Sequence, residues 1–217
     1  MRERGFTRSR DEWYLRPVTA VAPGVDAWDA WRPDELASRF RHLKVPWAVA
    51  AGWAIELHVG GDPRTHEDLE IAIDRSSFPA VQAALPELEW FGVGDGRVTP
   101  YADAADDLHQ TWGLDRRENR WRLDVFREPW DGDTWVCRRD ESLRRPVADA
   151  IEHTPDGIPY LAPELVLLFK AKHAAREKDH ADLARALPLL ELRRRRWLAD
   201  ALRRVHPGHD WIELVEP

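Results

Sequence analysis

The stretch from residue 51 to residue 73 constrains the fold of this chain more than any other part of it. Gly52 opens a short amphipathic segment, a loop follows, and a strand-like run then begins at two carboxylates, Asp68 and Glu70. Because side chains alternate between the two faces of a strand, Asp68 and Glu70 should point the same way, while the apolar residues among them face a core. Two aligned carboxylates at a strand edge favour a hard divalent cation, which neutralises phosphate charge in nucleotide chemistry.

A third carboxylate lies in a later strand-like run, residues 120–126. Trp121, Leu123 and Val125 share one face of this run, and Asp124 lies on the other. An acid within an otherwise apolar run is either an exposed residue on an edge strand or a functional group beside the acid pair.

The order of these residues resembles the nucleotidyltransferase superfamily, which includes DNA polymerase beta. Its pattern is a glycine pair, a spacer, an acid-x-acid pair and a third acid on a later strand. Within the superfamily the chain is most similar to the aminoglycoside and lincosamide nucleotidyltransferase group, from about Trp31 to Trp211. The other matching segments are Gly52-Trp53-Ala54-Ile55, Arg64 with His66, Ile158 to Glu164, Lys178-Asp179 with Asp182, and Trp197-Leu198.

The resemblance implies an Mg²⁺-dependent enzyme that uses ATP or another nucleoside triphosphate. It implies that Asp68, Glu70 and Asp124 are catalytic metal ligands, with Asp124 as ligand or general base. The residues expected to contact the nucleotide are Gly52, Trp53, Arg64, His66, Lys170 and Lys178.

Each nucleotide-binding residue has its own reason. Gly52 lets the backbone approach a phosphate, and the helix after it would aim free N–H groups at the triphosphate. Arg64 suits a bidentate phosphate contact. His66 either contacts phosphate or holds the loop. The lysines either reach the distal phosphates or lie on a helix surface, and the resemblance favours Lys178.

Two departures from the family pattern support a second function. Ala51 stands where the first glycine is usual, and Glu70 stands where a second aspartate is usual. A methyl group blocks or shifts phosphate approach, and a longer acid displaces a metal that needs near-ideal octahedral geometry. The alternative function is therefore a catalytically weak or inactive nucleotide-binding protein that acts as a sensor or a partner-binding module.

Composition is typical of a globular protein with its own core. The chain has 217 residues, a hydrophobic fraction of 43% and 12 tryptophans, most of which should fill or cover the core. No apolar run approaches the ~20 residues that span a bilayer. Met1 to Arg10 is basic with no apolar segment after it, so we expect no secretory signal and a cytoplasmic location. The single Cys137 excludes an intramolecular disulfide and a cysteine-based zinc site.

The formal net charge of −7 bears on the partner. A nucleic-acid partner is disfavoured, although the run Arg193 to Arg196 leaves open transfer to RNA or protein. An acidic protein suits a basic small molecule, so we expect a small-molecule hydroxyl acceptor that resembles an aminoglycoside. The acids expected to attract its ammonium groups are Glu67, Asp103, Asp106 and Asp107. The sequence predicts no oligomeric state.

The element pattern predicts an α+β fold, with a mixed-sheet nucleotidyltransferase core followed by a C-terminal helical region. We expect an N-terminal arm at residues 1–30, the core at 31–157 and the helical region at 158–217. The expected core elements are a helix over 33–43, a strand over 47–50, a helix over 53–59, a strand over 69–73, a helix from a Ser76 or Ser77 cap to Leu85, strands over 88–93 and 120–126, and a strand over 135–138 paired beside the last.

Overall fold

The computed structural model describes residues 22–216 apart from 105, 107, 174 and 175, so most of the predicted N-terminal arm lies outside the described residues. The strands are β1 Trp47–Val49, β2 Glu70–Asp74, β3 Leu88–Gly94, β4 Arg97–Pro100, β5 Gln110–Asp115, β6 Arg120–Glu128, β7 Thr134–Val136, β8 Arg144–Pro146, β9 Ile151–His153 and β10 Pro159–Leu161. The helices are α1 Pro33–Arg39, α2 Ala51–Val59, α3 Phe78–Ala84, α4 Val147–Ala150, α5 Pro163–Lys170, α6 Glu177–Ala186, α7 Leu192–Val205 and α8 Trp211–Val215.

Among these residues, eight strands form one mixed sheet in the order β4-β3-β5-β6-β2-β1-β10-β9. The pairs β2–β6 and β1–β10 are parallel, and the other neighbours are antiparallel. Helices accompany the sheet and dominate the end of the chain, which confirms the predicted α+β fold class.

The predicted pairing of residues 135–138 with β6 is wrong. β7 pairs with β8 in a separate two-stranded sheet. Pro129 follows β6 directly and cannot donate a ladder hydrogen bond, and Gly132 then turns the chain with a φ of 57°. The chain therefore leaves the main sheet before β7 begins.

The core is packed against β2 and β6. Leu69, Ile71 and Ile73 are fully buried, as their alternation with the acids predicted. Several tryptophans also lie in the core, and Trp121 and Trp211 are among the largest side chains that are fully buried. Burial of such large apolar groups supplies much of the free energy of folding.

Helix α3 begins differently from the prediction. No side chain caps it at Ser77, and the preceding 3₁₀ turn, Arg75–Ser77, is capped instead by Asp74, whose carboxylate accepts from Ser76. The aspartate at the end of β2 therefore does the capping that was assigned to a serine.

The C-terminal region supplies helices α5 to α8, and it also adds β10 to the sheet beside β1. The division of the chain at residue 157 stays a prediction. Within the described residues, no helix combines the length and apolarity needed to cross a membrane.

Two of the four arginines at the start of α7 are engaged within the protein. Arg194 pairs with Glu152, and Arg195 donates to the main-chain carbonyls of Val215 and Glu216. A run whose members hold α7 to its neighbours is a poor basic surface for RNA, so it gives little support to transfer onto RNA.

Candidate active site

A cavity of about 480 Å³ lies between the first turn of α2, the edge formed by β2 and β6, and helix α5. Two parts of its lining differ in charge. We call one the carboxylate end; its lining residues include Gly52, Arg64, His66, Asp68, Glu70 and Lys178. We call the other the arginine end, and it is lined by Phe126, Glu128, Arg138, Arg139 and Phe169.

The parallel pairing of β2 with β6 brings the predicted acids together. Glu70 is the direct register partner of Asp124, and the Asp124 amide donates to the carbonyl of Leu69 at 2.9 Å. Asp68 lies two residues before Glu70, just ahead of the strand, which begins one residue later than predicted. Its charge acts on both Glu70 and Asp124, so all three carboxylates share one locality.

Burial governs the protonation of these acids. It raises the pKa of Glu70 well above its usual value, and the charges of Asp68 and Asp124 raise it further. Burial also raises the pKa of Asp124 to about 8, although a hydrogen bond from Gln110 opposes the shift. Burial raises the pKa of Asp68, and the charge of Lys178 lowers it part of the way back toward its ordinary value. The three carboxylates therefore lack the nearby positive charge that would keep them ionised.

These acids supply the oxygen ligands that a hard cation prefers, but their side chains are not arranged to coordinate one. One oxygen of Asp124, Oδ2, accepts from Gln110 Nε2 at 2.5 Å, while Oδ1 is buried with no hydrogen-bond partner among the described residues. Over the same residues, no group of three or more His, Cys, Asp or Glu side chains is arranged to hold a metal ion. The donor type and the orphaned oxygen fit Mg²⁺, but side-chain movement is needed to complete the shell.

The turn between β1 and α2 explains why glycine stands at position 52. A Cβ atom there would lie 2.5 Å from Arg64 Nη2 and 2.8 Å from His66 Cε1. Gly52 therefore lets these two side chains lie directly over the start of the helix. At the preceding position, Ala51 has a φ of 47°, a left-handed conformation that favours glycine.

The structure places Trp53 behind the cavity wall rather than in it. Its ring stacks on His66 with the ring centroids 4.4 Å apart, and it lines a smaller neighbouring pocket with Arg32. Direct contact of Trp53 with a ligand in the main cavity is therefore not supported, because His66 stands between them. Burial and the charge of Arg64 lower the pKa of His66 to about 4, so the imidazole is neutral at neutral pH.

The three predicted cations differ in how far they are already paired. Lys170 Nζ lies 2.8 Å from both Asp179 and Asp182, which makes it mainly a structural cation. Arg64 lies 3.6 Å from Asp182 and 3.7 Å from the buried Glu56.

Lys178 lines the cavity and, within the described part of the chain, makes no ion pair with a carboxylate within 4.0 Å. Its charge nevertheless acts on Asp68. Lys178 is thus the best placed of the three to bind a phosphate.

The arginine end was missed by sequence reasoning. Glu128 follows Asp124 and Phe126 on the same face of β6, because the strand continues two residues beyond the predicted end. Extending the alternation would have found it. Arg138 and Arg139 lie in the loop after β7, where no hydrophobic periodicity indicates which way a side chain points. Of the acids expected to attract an acceptor, only Glu67 lines the cavity among those described, and Asp107 lies outside the described residues.

Comparison with known families agrees with this geometry. Residues 34–110, about a third of the chain, match the family model of aminoglycoside-2''-adenylyltransferase. This segment contains the glycine turn and the acid pair. The sequence has no match among curated proteins.

Two solved structures share the fold. A lincomycin-bound lincosamide antibiotic adenylyltransferase, LnuA, is 20% identical with a TM-score of 0.50, and the alignment covers 70% of this chain and 92% of LnuA. The antibiotic-resistance protein ANT(2'')-Ia, in complex with adenylyl-2''-tobramycin, is 11% identical with a TM-score of 0.54. That alignment covers 79% of this chain and 95% of ANT(2'')-Ia.

The matched family is one of enzymes, and it supports the expectation of a nucleotidyltransferase-type enzyme. Fold and family match together confirm the predicted resemblance: this chain has the nucleotidyltransferase fold and is similar to the aminoglycoside and lincosamide nucleotidyltransferase group.

Proposed function

We propose that this protein transfers a nucleoside monophosphate, AMP from ATP, to a hydroxyl of a small molecule. The observation that carries the proposal is that Asp68 and Glu70 line the cavity beside the Gly52 turn, with Asp124 directly behind them as the register partner of Glu70. Three carboxylates next to an open helix N-terminus match the needs of a reaction that gathers phosphate charge at one point.

The nucleotide would bind at the carboxylate end. The first turn of α2 offers free N–H groups and the positive end of its dipole to the triphosphate. Lys178 and Arg64 add positive charge at the cavity wall. The neutral His66 is proposed to hold this wall through its stack on Trp53 rather than to bind phosphate by charge.

In the reaction, the acceptor oxygen bonds to the α-phosphorus, the bond from that phosphorus to the bridging oxygen breaks, and pyrophosphate leaves. Asp68, Glu70 and Asp124 would hold Mg²⁺, which neutralises the phosphate charge when it is bound. The proton of the acceptor hydroxyl passes to a nearby carboxylate. We assign this role to Asp124: burial raises its pKa in the metal-free protein, and a bound Mg²⁺ would lower that pKa and leave a carboxylate able to accept the proton.

An antibiotic hydroxyl is the acceptor class suggested by the matched family and by the lincomycin and adenylyl-2''-tobramycin bound to LnuA and ANT(2'')-Ia. These similarities support a small-molecule hydroxyl acceptor, and the aminoglycoside-like character expected from the acidic net charge stays a prediction. The cytoplasmic location also stays a prediction.

A second candidate is a nucleotide-binding protein with weak or no transfer activity. The left-handed Ala51 and the incomplete arrangement of metal ligands among the described residues favour it. Both candidates require the carboxylate end to bind a triphosphate, and they differ only in whether pyrophosphate is released.

The test is a calorimetric titration of ATP with and without Mg²⁺, on the unaltered protein and on Asp68→Asn. Asparagine keeps the size of the side chain and removes its charge. We expect Mg²⁺ to tighten ATP binding in the unaltered protein and to have little effect in Asp68→Asn. Absence of ATP binding would overturn both candidate functions, and ATP binding that is equally independent of Mg²⁺ in both proteins would overturn the transferase and leave the nucleotide-binding protein.

A further inference from the structure

The arginine end of the cavity carries an excess of positive charge. The buried Glu128 is held by Arg138 at 2.7 Å, and it also interacts electrostatically with Arg139 and Arg75. His109 reports the same field, because burial and four nearby cations lower its pKa to about 4. These cations are Arg138, Arg139, Arg75 and Lys172. Of the two arginines that line this end of the cavity, Glu128 forms its ion pair with Arg138.

Arg139 has donors available for a ligand. Its Nη1 contacts the carbonyls of Leu168 and Phe169 at the end of α5 and the ring of His206. Among the residues that the structure describes, no hydrogen bond uses its Nε or Nη2 and no carboxylate pairs with it. Its guanidinium also lies 5.0 Å from the ring of Phe169, which lines the same end of the cavity.

Glu128 is incomplete on its other side. The residue is 2% exposed, and its Oε1 accepts from Arg138, while its Oε2 is buried with no partner among the described residues. A buried carboxylate oxygen without a partner is costly, and a rotation of the Glu128 carboxylate toward the cavity would let a ligand hydroxyl satisfy it.

The arginine end lies beyond the place where the reaction would occur. Asp124 and Glu128 are four residues apart on β6, so their Cα atoms are separated by about 13 Å. A ligand that presents a hydroxyl to the carboxylates can therefore extend along β6 and place another group beside Arg138 and Arg139.

Given the proposed transfer activity, on which this inference rests, we propose that the acceptor is a hydroxylated acid whose carboxylate or phosphate binds Arg138 and Arg139. A hydroxyl next to that acidic group donates to Glu128 Oε2. A polycationic aminoglycoside would meet like charge here, which disfavours it.

The same cations would also suit the distal phosphates of ATP, so the test must separate the two sources of anion. The probe is inorganic phosphate, titrated into the full chain by calorimetry with and without a saturating non-hydrolysable ATP analogue and Mg²⁺. Arg139→Gln and Arg138→Gln remove the proposed contacts. Arg193→Gln, on an arginine whose side chain is 80% exposed, is the matched control.

We expect phosphate to bind in the presence of the ATP analogue. In Arg139→Gln and Arg138→Gln, phosphate should bind about 10- to 100-fold more weakly, with analogue affinity unchanged. Arg139→Lys, which keeps the charge, should retain part of the phosphate affinity, and unchanged analogue affinity also shows that each variant is folded.

Three results would overturn the inference. Phosphate displaced by the analogue, with analogue binding weakened in Arg139→Gln, would assign the arginines to the triphosphate. Absence of phosphate binding, or equal binding in all variants, would leave the arginine end without an anion site. If the unaltered protein does not bind the ATP analogue, the proposed function itself fails, and this result is distinct from the three above.

Discussion

Glu70 on β2 and Asp124 on β6 are direct register partners in a parallel strand pair. Both side chains are thereby held at the same level of the sheet, and the charge of Asp124 raises the pKa of Glu70. The two residues are 54 positions apart in the sequence, yet the register makes them a unit. Two predictions test that unit and three others test its surroundings.

The first prediction concerns the pH dependence of stability. The folded pKa of Asp124 is raised to about 8 from an ordinary value of 3.8, so the folded state binds more protons than the unfolded state between these values. The free energy of unfolding should therefore fall as the pH rises from about 4 to about 8, by up to about 1.4 kcal/mol per pH unit for one group.

Asp124→Asn should make this slope shallower, because asparagine does not titrate. Urea denaturation at several pH values, without divalent cation, measures it. A slope as steep in Asp124→Asn as in the unaltered protein would show that Asp124 is not held protonated by burial.

The second prediction concerns Gly52. In Gly52→Ala the new methyl group would displace the side chains of Arg64 and His66, which are flexible enough to move. We expect the fold to persist and ATP affinity to fall about tenfold or more, because the phosphate-facing wall is rearranged. Gly24→Ala is the control, since no described atom lies within 4 Å of a Cβ at position 24. Equal ATP affinity in both variants would contradict a phosphate-binding role for the turn.

The third prediction concerns Ala51. Ala51→Gly removes the cost of a left-handed alanine and restores the glycine pair usual in the family, so the protein should be stabilised by about 0.5–1 kcal/mol. We also expect tighter ATP binding, because the methyl group no longer stands at the phosphate approach. Thermal unfolding and ATP titration check the two effects. A lower Tm would show that the backbone at Ala51 is not strained.

The fourth prediction concerns Glu56 on α2. Glu56 is 4% exposed. Arg185 donates hydrogen bonds of 2.8 and 2.7 Å to its two carboxylate oxygens, and this pair joins α2 to α6. Glu56→Ala leaves Arg185 without its partner and should cost about 1–3 kcal/mol of stability, because the arginine side chain is 34% exposed and water can solvate its charge.

Asp200→Ala, at the exposed ion pair of Asp200 with Arg203, should cost less than about 1 kcal/mol and is the control. Urea denaturation at neutral pH compares them. A loss of ATP binding in Glu56→Ala without a loss of stability would assign Glu56 to the site instead.

Local sequence patterns predicted the three acids of the site, but they did not predict the pairing of the strands around them. The alternation in 69–73 and 120–126 identified β2, β6 and the three acids, because period-two burial is written in adjacent residues. Their parallel pairing depends on contacts between distant segments. Strand β5, which contains Gln110, was not predicted, because Gly113 interrupts its pattern. The space that a side chain at position 113 would occupy is taken by Leu88 and Trp90 from the neighbouring strand.

Charge was harder to predict than position. Lys170 was assigned to the nucleotide, but helix α6 supplies two aspartates that already pair with it. Arg138 and Arg139 come from a loop after β7, and only the tertiary fold brings them to Glu128. Local sequence patterns therefore predicted the acids of the carboxylate end, whereas the arginine end is formed by side chains from three separate segments.

The most direct test of the central claim follows the phosphorus atoms of ATP. The protein is incubated with Mg²⁺ and ATP labelled at either the α or the γ position, against tobramycin, lincomycin, a sugar acid and a sugar phosphate. We predict that the α label moves to an acceptor, that the γ label leaves in pyrophosphate, and that Asp68→Asn and Asp124→Asn abolish the transfer. Movement of the γ label to an acceptor, or ATP binding without any α transfer, would contradict nucleotidyl transfer at this site.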